Sequence, residues 1–70
     1  MRLSTRNQLT GKVTAVQQGS VMATVRVQLD GGDQVVTASI TKEAAEELGL
    51  TVGQPATVFI KSTDVAIGVE

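Results

Sequence analysis

The chain has 70 residues, six Lys/Arg against seven Asp/Glu for a net charge of −1, no cysteine, no histidine and one aromatic residue, Phe59. This excludes disulfide staples, removes the commonest transition-metal ligand, leaves a Ser or Thr nucleophile without its usual base, and gives no overall electrostatic footprint for DNA or RNA. One domain over residues 1–70 is expected; it buries only about 60% of its unfolded surface. A core of Val, Ile, Leu and Ala offers less area per residue than Phe or Trp would, so we expect other copies of the chain to cover some of its apolar surface.

At the N-terminus, Met1-Arg2-Leu3-Ser4-Thr5-Arg6 carries two arginines with no apolar run behind them, so no signal peptide is read there. No segment approaches the roughly 18 apolar residues of a membrane span, and the expected location is the cytoplasm. The first strand follows, with Leu9, Gly11, Val13 and Ala15 alternating with Thr10, Lys12 and Thr14. Gln17-Gln18-Gly19-Ser20 reads as a hairpin turn. From Val21 to Leu29 the apolar residues Val21, Ala23, Val25, Val27 and Leu29 alternate with Met22, Thr24, Arg26 and Gln28, which predicts a long strand with one buried face. Asp30-Gly31-Gly32-Asp33 is a stronger turn signal, because both glycines tolerate positive φ. A third strand runs from about Gln34 to Ile40, with Val36, Ala38 and Ile40 on one face.

The period then changes. Thr41 is placed to cap a helix over Lys42 to Leu48, Glu43 sits in its first turn near the positive end of the dipole, and Gly49 suits the C′ position. Ala44, Ala45 and Leu48 share the expected inner face, while Glu46 and Glu47 point outward. Two turns of helix are not stable alone and must pack on the sheet. After a turn at Val52-Gly53-Gln54-Pro55, Ala56, Val58 and Ile60 mark a fourth strand. Ser62-Thr63-Asp64 turns the chain again, and Val65, Ile67 and Val69 predict a fifth. Three strands, a short helix and two more strands is the order of an all-β, five-stranded OB-fold-like antiparallel barrel. Periodicity alone also allows an SH3-like barrel; the position of the helix favours the OB arrangement.

Little in the chain suggests catalysis. Lys61-Ser62 ends like a phosphate-binding loop, but GxxxxGK[ST] requires glycines where Pro55 and Ile60 stand. Glu43, Glu46 and Glu47 read as a solvated helix face rather than a paired acid and base. Asp30 and Asp33 flank a turn that lacks the ligand count of a calcium loop. No enzymatic activity, directly bound metal or cofactor is expected. An OB-fold raises single-stranded nucleic acid as a rival ligand, but such binders use aromatic platforms and a basic groove, and this chain has one phenylalanine and a slightly acidic balance.

Two segments carry polar residues with no evident core role: Ser4-Thr5-Arg6-Asn7-Gln8-Leu9-Thr10-Gly11 and Lys61-Ser62-Thr63-Asp64-Val65. They resemble the patterns S-x-R-N-x-hydrophobic-x-G and K-[SA]-[ST]-[DE]-V of the molbindin family, the Mop domain also found in molybdate-responsive regulators and molybdate-transporter ATPases. Gly19-Ser20-Val21-Met22-Ala23, Ala38-Ser39-Ile40-Thr41 and Glu47-Leu48-Gly49-Leu50 resemble the family between those ends, so the likeness spans the chain. The resemblance implies the free-standing single-domain form, with no room for a DNA-binding or ATPase domain. It also implies a hexamer built as a trimer of dimers, oxyanion sites between subunits, molybdate or tungstate as ligand, and a role in cytoplasmic molybdate storage or homeostasis.

The chemistry suits such a ligand. Molybdate is a tetrahedral dianion whose oxygens only accept hydrogen bonds, so its site needs converging donors and compensating positive charge. Lys61 offers an ammonium, Ser4, Ser62 and Thr63 offer hydroxyls, and Arg6 and Asn7 can donate through side chain or backbone. On the residues alone, Arg6 could instead pair with Asp64 or Glu70, Lys61 could be a solvated strand end, and Ser62-Thr63-Asp64 could be turn chemistry only. With the resemblance, Ser4, Arg6, Asn7, Lys61, Ser62 and Thr63 are the expected oxyanion-binding residues, and Asp64, an acceptor, is expected to organise the loop. The resemblance also points to Thr41, which a plain N-cap role explains equally well, and to Gly19 and Ser20 as lining for a second kind of site. An interaction module binding a protein or single-stranded nucleic acid is the alternative reading.

Overall fold

The computed structural model describes residues 2–70. Four strands form one antiparallel sheet: β1 (Asn7–Gln18), β2 (Met22–Leu29), β3 (Val35–Thr41) and β4 (Pro55–Ile60), in the order β3-β2-β1-β4. Helix α1 (Lys42–Leu48) lies between β3 and β4 in the chain, and a short 3-10 turn (Ser62–Asp64) follows β4. This is a mostly β, OB-like arrangement with one short helix, as the residue pattern predicts, but with four strands instead of five.

β1 organises the sheet. Its first half, Asn7 to Lys12, pairs with β4, and from Gly11 onward it pairs with β2. The partnerships overlap at Gly11 and Lys12, and of these Gly11 is buried, opposite both Leu29 and Ala56. A Cβ there would lie 2.3 Å from the Gln28 carbonyl oxygen, so only glycine allows this approach.

The alternation of β1 does not continue as its sequence suggests. Val13 faces Val27, but the next aligned pair is Ala15 with Arg26, so Thr14 sits in a β-bulge. The Thr14 hydroxyl donates to the Arg26 carbonyl at 3.3 Å. The extra residue shifts the phase, so that Val16, not Ala15, shares the Val25 side of the sheet and packs on the core. Val21, expected at the head of the second strand's apolar face, precedes β2 and is 69% exposed.

The core is small. Val13, Val25 and Val27 are buried at its centre, with Val16, Ile40, Leu50, Ala56 and Val58 packed around them. Full burial of each valine contributes about 1.5–3 kcal/mol. Helix α1 begins and ends as predicted: Ala44 N–H donates to the Thr41 hydroxyl at 3.1 Å, and Gly49 closes the helix at φ 61°. Only Ala45 is fully buried. Leu48, expected on the inner face, is 64% exposed, and Leu50 beyond the cap packs on the core in its place. Gly53, at φ 92°, donates its N–H to the Val13 carbonyl at 2.7 Å, extending the pairing of β1 past the start of β4.

The expected fifth strand does not form within the chain. After the 3-10 turn, residues 65–70 are paired with no strand, and Ile67 and Val69 are 86% and 93% exposed. The turn closes on itself through Asp64 N–H to the Lys61 carbonyl at 2.9 Å, and it does not fold the segment back along β4.

Candidate functional site

The pairing of β1 with β4 brings the two polar segments together. Asn7 is aligned with Ile60, the last residue of β4, so the residues before Asn7 and those after Ile60 emerge side by side. The Asn7 side-chain amide donates to the Ile60 carbonyl at 3.0 Å across 53 residues of sequence and fixes this junction. The Gln8 amide donates to the Thr5 carbonyl at 3.0 Å and folds the approach to the strand.

Ser4, Thr5, Lys61, Ser62 and Thr63 line one shallow depression of about 340 Å³ there. Four of the six residues expected from sequence meet in it. Thr5 was missed: it occupies the variable position of S-x-R-N, and its only signal is a hydroxyl inside a donor-rich run. Arg6 is exposed and lies outside the lining, and Asn7 serves as the clasp that holds the two segments in place. Asp64 is also outside the lining, and its N–H helps to close the 3-10 turn.

The lining holds one ammonium, four hydroxyls and no carboxylate. Among the described residues the one salt bridge is Lys42 to Glu46 at 3.9 Å, so neither Asp64 nor Glu70 neutralises Arg6 or Lys61. The site is therefore a convergence of donors with an uncompensated positive charge, open to solvent. Chemically, it can hold a small anion by charge-assisted hydrogen bonds.

Ser20 and Thr41 meet elsewhere, in a depression of about 510 Å³ lined also by Val21, Lys42, Glu43 and Glu46. Gly19 is not in its lining, and the Gly19 N–H is held by the Met22 carbonyl at 2.8 Å. Two carboxylates face this second hollow, its lysine is paired with one of them, and the Thr41 oxygen is engaged as the helix cap.

Among the described residues no group of three or more His, Cys, Asp or Glu side chains is placed to hold a metal ion. No helix is long and apolar enough to cross a membrane.

The fold and the donor-lined junction of its two ends define a small OB-like β module. Residues 3–67 match the TOBE domain. The chain is 44% identical over 70 residues, the full length of both proteins, to a probable molybdenum-pterin-binding protein of Haemophilus influenzae. It is 49% identical over 67 residues to molybdenum-pterin-binding protein 3 of Clostridium pasteurianum, covering 96% of this chain and 97% of that one. Among solved structures, MopII from Clostridium pasteurianum superposes with a TM-score of 0.89 at 40% identity, over 97% of this chain and all of that one. The cytoplasmic molybdate-binding protein ModG, in a form with molybdate bound, superposes with a TM-score of 0.93 at 46% identity, over all of this chain and 49% of that one. The chain belongs to the TOBE-domain family, among its molbindins.

Proposed function

We propose that this protein binds molybdate as an intact oxyanion at the junction of its two ends and does no chemistry on it. The observation that carries the reading is the depression lined by Ser4, Thr5, Lys61, Ser62 and Thr63, all donors, with no carboxylate among them. Relatives across the full length of the chain are molybdenum-pterin-binding proteins, and ModG is a molybdate-binding protein. The lining favours the oxyanion over a pterin ring: it has no aromatic side chain to stack on one, and Phe59, the only aromatic residue, lies elsewhere.

In this reading Lys61 supplies the charge, and Ser4, Ser62 and Thr63 supply directed hydroxyl donors, with Thr5 beside them. Arg6, exposed next to the depression, adds positive potential, and Asn7 keeps the donors in register. Tungstate, with the same shape and charge as molybdate, binds alongside it. We propose further that residues 1–70 act as one domain, that the working form is a hexamer with the depression at subunit boundaries, and that it serves cytoplasmic storage or homeostasis of molybdate. The relatives named above support molybdate binding rather than the alternative of an interaction module for protein or nucleic acid.

Calorimetry with molybdate, tungstate and sulfate tests the central point. Heat of binding with the two metal oxyanions is expected at micromolar protein. No heat with either would overturn the proposal.

A further inference from the structure

We infer that Asp30 is a covalent modification site: its side-chain carboxyl closes on the backbone nitrogen of Gly31, and the cyclic imide so formed reopens to an isoaspartyl linkage in the turn between β2 and β3. The inference is independent of the ligand proposed above.

Such a closure needs an Asp or Asn side chain free to swing toward the next residue's nitrogen. That nitrogen must be neither hydrogen-bonded nor shielded by a side chain. The chain has three aspartates and one asparagine, and they differ on these counts. Asn7 lies in a paired strand with its amide held on the Ile60 carbonyl. Asp64 precedes β-branched Val65, whose N–H donates to the Ser62 carbonyl at 3.5 Å. Asp33 precedes Gln34, whose side chain screens the nitrogen. Asp30 alone meets both conditions. Residues 30–34 are exposed, and among the described residues the Asp30 carboxylate accepts no hydrogen bond and joins no ion pair. An Asx turn would hold it on the backbone two residues further on, and no such bond is made. The Gly31 N–H donates to no protein acceptor. Gly31 stands at φ 82° with nothing within 4 Å of where a Cβ would be, so the glycine that lets the chain turn also leaves its nitrogen uncovered.

The chemistry needs no partner but water. The Gly31 nitrogen attacks Asp30 Cγ, a C–N bond forms, and the amide proton leaves with a carboxyl oxygen as water. Hydrolysis of the imide at Cγ restores aspartate. Hydrolysis at the original main-chain carbonyl breaks that C–N bond instead, and the backbone then runs through Asp30 Cβ and Cγ, one carbon longer, with the carboxylate hanging from Cα. Nothing is oxidised or reduced, and the net charge is kept. The base of the turn is anchored by Leu29 N–H to the Gln34 carbonyl at 2.8 Å and by Asp30 N–H to the Thr10 carbonyl at 3.0 Å. Neither bond engages the reacting pair. The longer backbone displaces Gly31 and Gly32 and releases the Gln28 amide from the Gly32 carbonyl, now at 3.1 Å. The core valines and the Ser4–Lys61 depression share no residue with the turn.

To test this, the full-length chain is held for weeks at neutral pH, folded in buffer and in parallel unfolded in guanidinium, and then digested with trypsin. Cleavage after Arg26 and Lys42 yields residues 27–42, which contain Asp30 and Asp33 but not Asp64. A second form of this peptide is expected from the folded chain, equal in mass and shifted in retention, growing with time beside a trace form lighter by one water. Fragmentation should place the change at Asp30. A methyltransferase specific for isoaspartyl carboxylates, supplied with S-adenosylmethionine, should label the aged chain in the same peptide. Asp30→Glu, whose longer arm closes far more slowly, should lose both the isomer and the label. Asp30→Asn, from which ammonia leaves more readily than water, should gain both faster. No isomer in the folded chain, whatever the unfolded chain does, would overturn the inference, because the turn would then protect the bond. An isomer located at Asp33, or label retained by Asp30→Glu, would overturn it as well.

Discussion

The two depressions that hold the polar residues singled out in the sequence differ less in their hydroxyls than in their acids. At the junction of the chain ends, Lys61 faces four hydroxyls and no carboxylate. Beside helix α1, Lys42 is paired with Glu46, Glu43 stands next to it, and the Thr41 oxygen already caps the helix. Both hollows contain one lysine and at least two hydroxyl groups, so a count of donors would rank them as comparable. For a dianion, the uncompensated charge decides. Two carboxylates facing the same space outweigh the one lysine and leave a net charge of −1 toward an anion, although solvent weakens both effects. The charge balance of the first hollow suits an anion, as proposed above, and that of the second does not.

Several measurements would break or sharpen this contrast. The largest effect is expected from Lys61→Ala, which removes the only charge in the terminal depression. Loss of a charge-assisted hydrogen bond contributing about 1.5–3 kcal/mol predicts a roughly 10- to 150-fold fall in molybdate affinity by calorimetry. Thermal unfolding should be nearly unchanged. Equal affinity in the variant would remove Lys61 from the site. Next comes Asn7→Ala, which opens the clasp on Ile60. It should cost about 1–1.5 kcal/mol of stability in denaturant melts and weaken binding as well, since Ser4 is then held less firmly beside Lys61. Thr41→Ala should cost about 1 kcal/mol of stability through the lost cap and leave molybdate affinity unaltered. A fall in affinity would instead assign Thr41 to a ligand site. Smaller still is the gain expected from Glu43→Gln with Glu46→Gln, a weak second binding event in calorimetry of the double variant. Its absence would mean that geometry, and not acid count, separates the hollows. The smallest effect is that of Lys42→Ala, whose exposed pair with Glu46 contributes about 0.3–0.5 kcal/mol or less.

Where local rules decide structure, the residues alone were informative. Thr41 and Gly49 bounded the helix because capping is a matter of one or two hydrogen bonds and one positive φ. The inner faces of β2, β3 and β4 followed from strict alternation. The bulge at Thr14 did not announce itself, because an inserted residue changes the phase without changing the composition, and both Ala15 and Val16 are apolar enough for the interior. Leu48 and Val21 were misplaced because a small core has room for only part of the apolar residues that flank it. A fifth strand was expected from the alternation of Val65, Ile67 and Val69, but periodicity carries no information about whether a strand edge lies within reach, and this segment pairs with none of the four strands. For the site, the motifs at the two ends indicated the residue types, while the alignment of Asn7 with Ile60 determined which of them share a space. Thr5 entered and Arg6 left for that reason alone.

Gly11 has a consequence for how this protein tolerates change. It stands where one strand is passed from β4 to β2, with a backbone oxygen where any side chain would begin. Even a single methyl group would push apart the two halves that β1 joins. In a saturation library selected for folded protein, position 11 should therefore accept nothing but its native residue, while neighbouring Thr10 and Lys12, both facing solvent, admit wide variety.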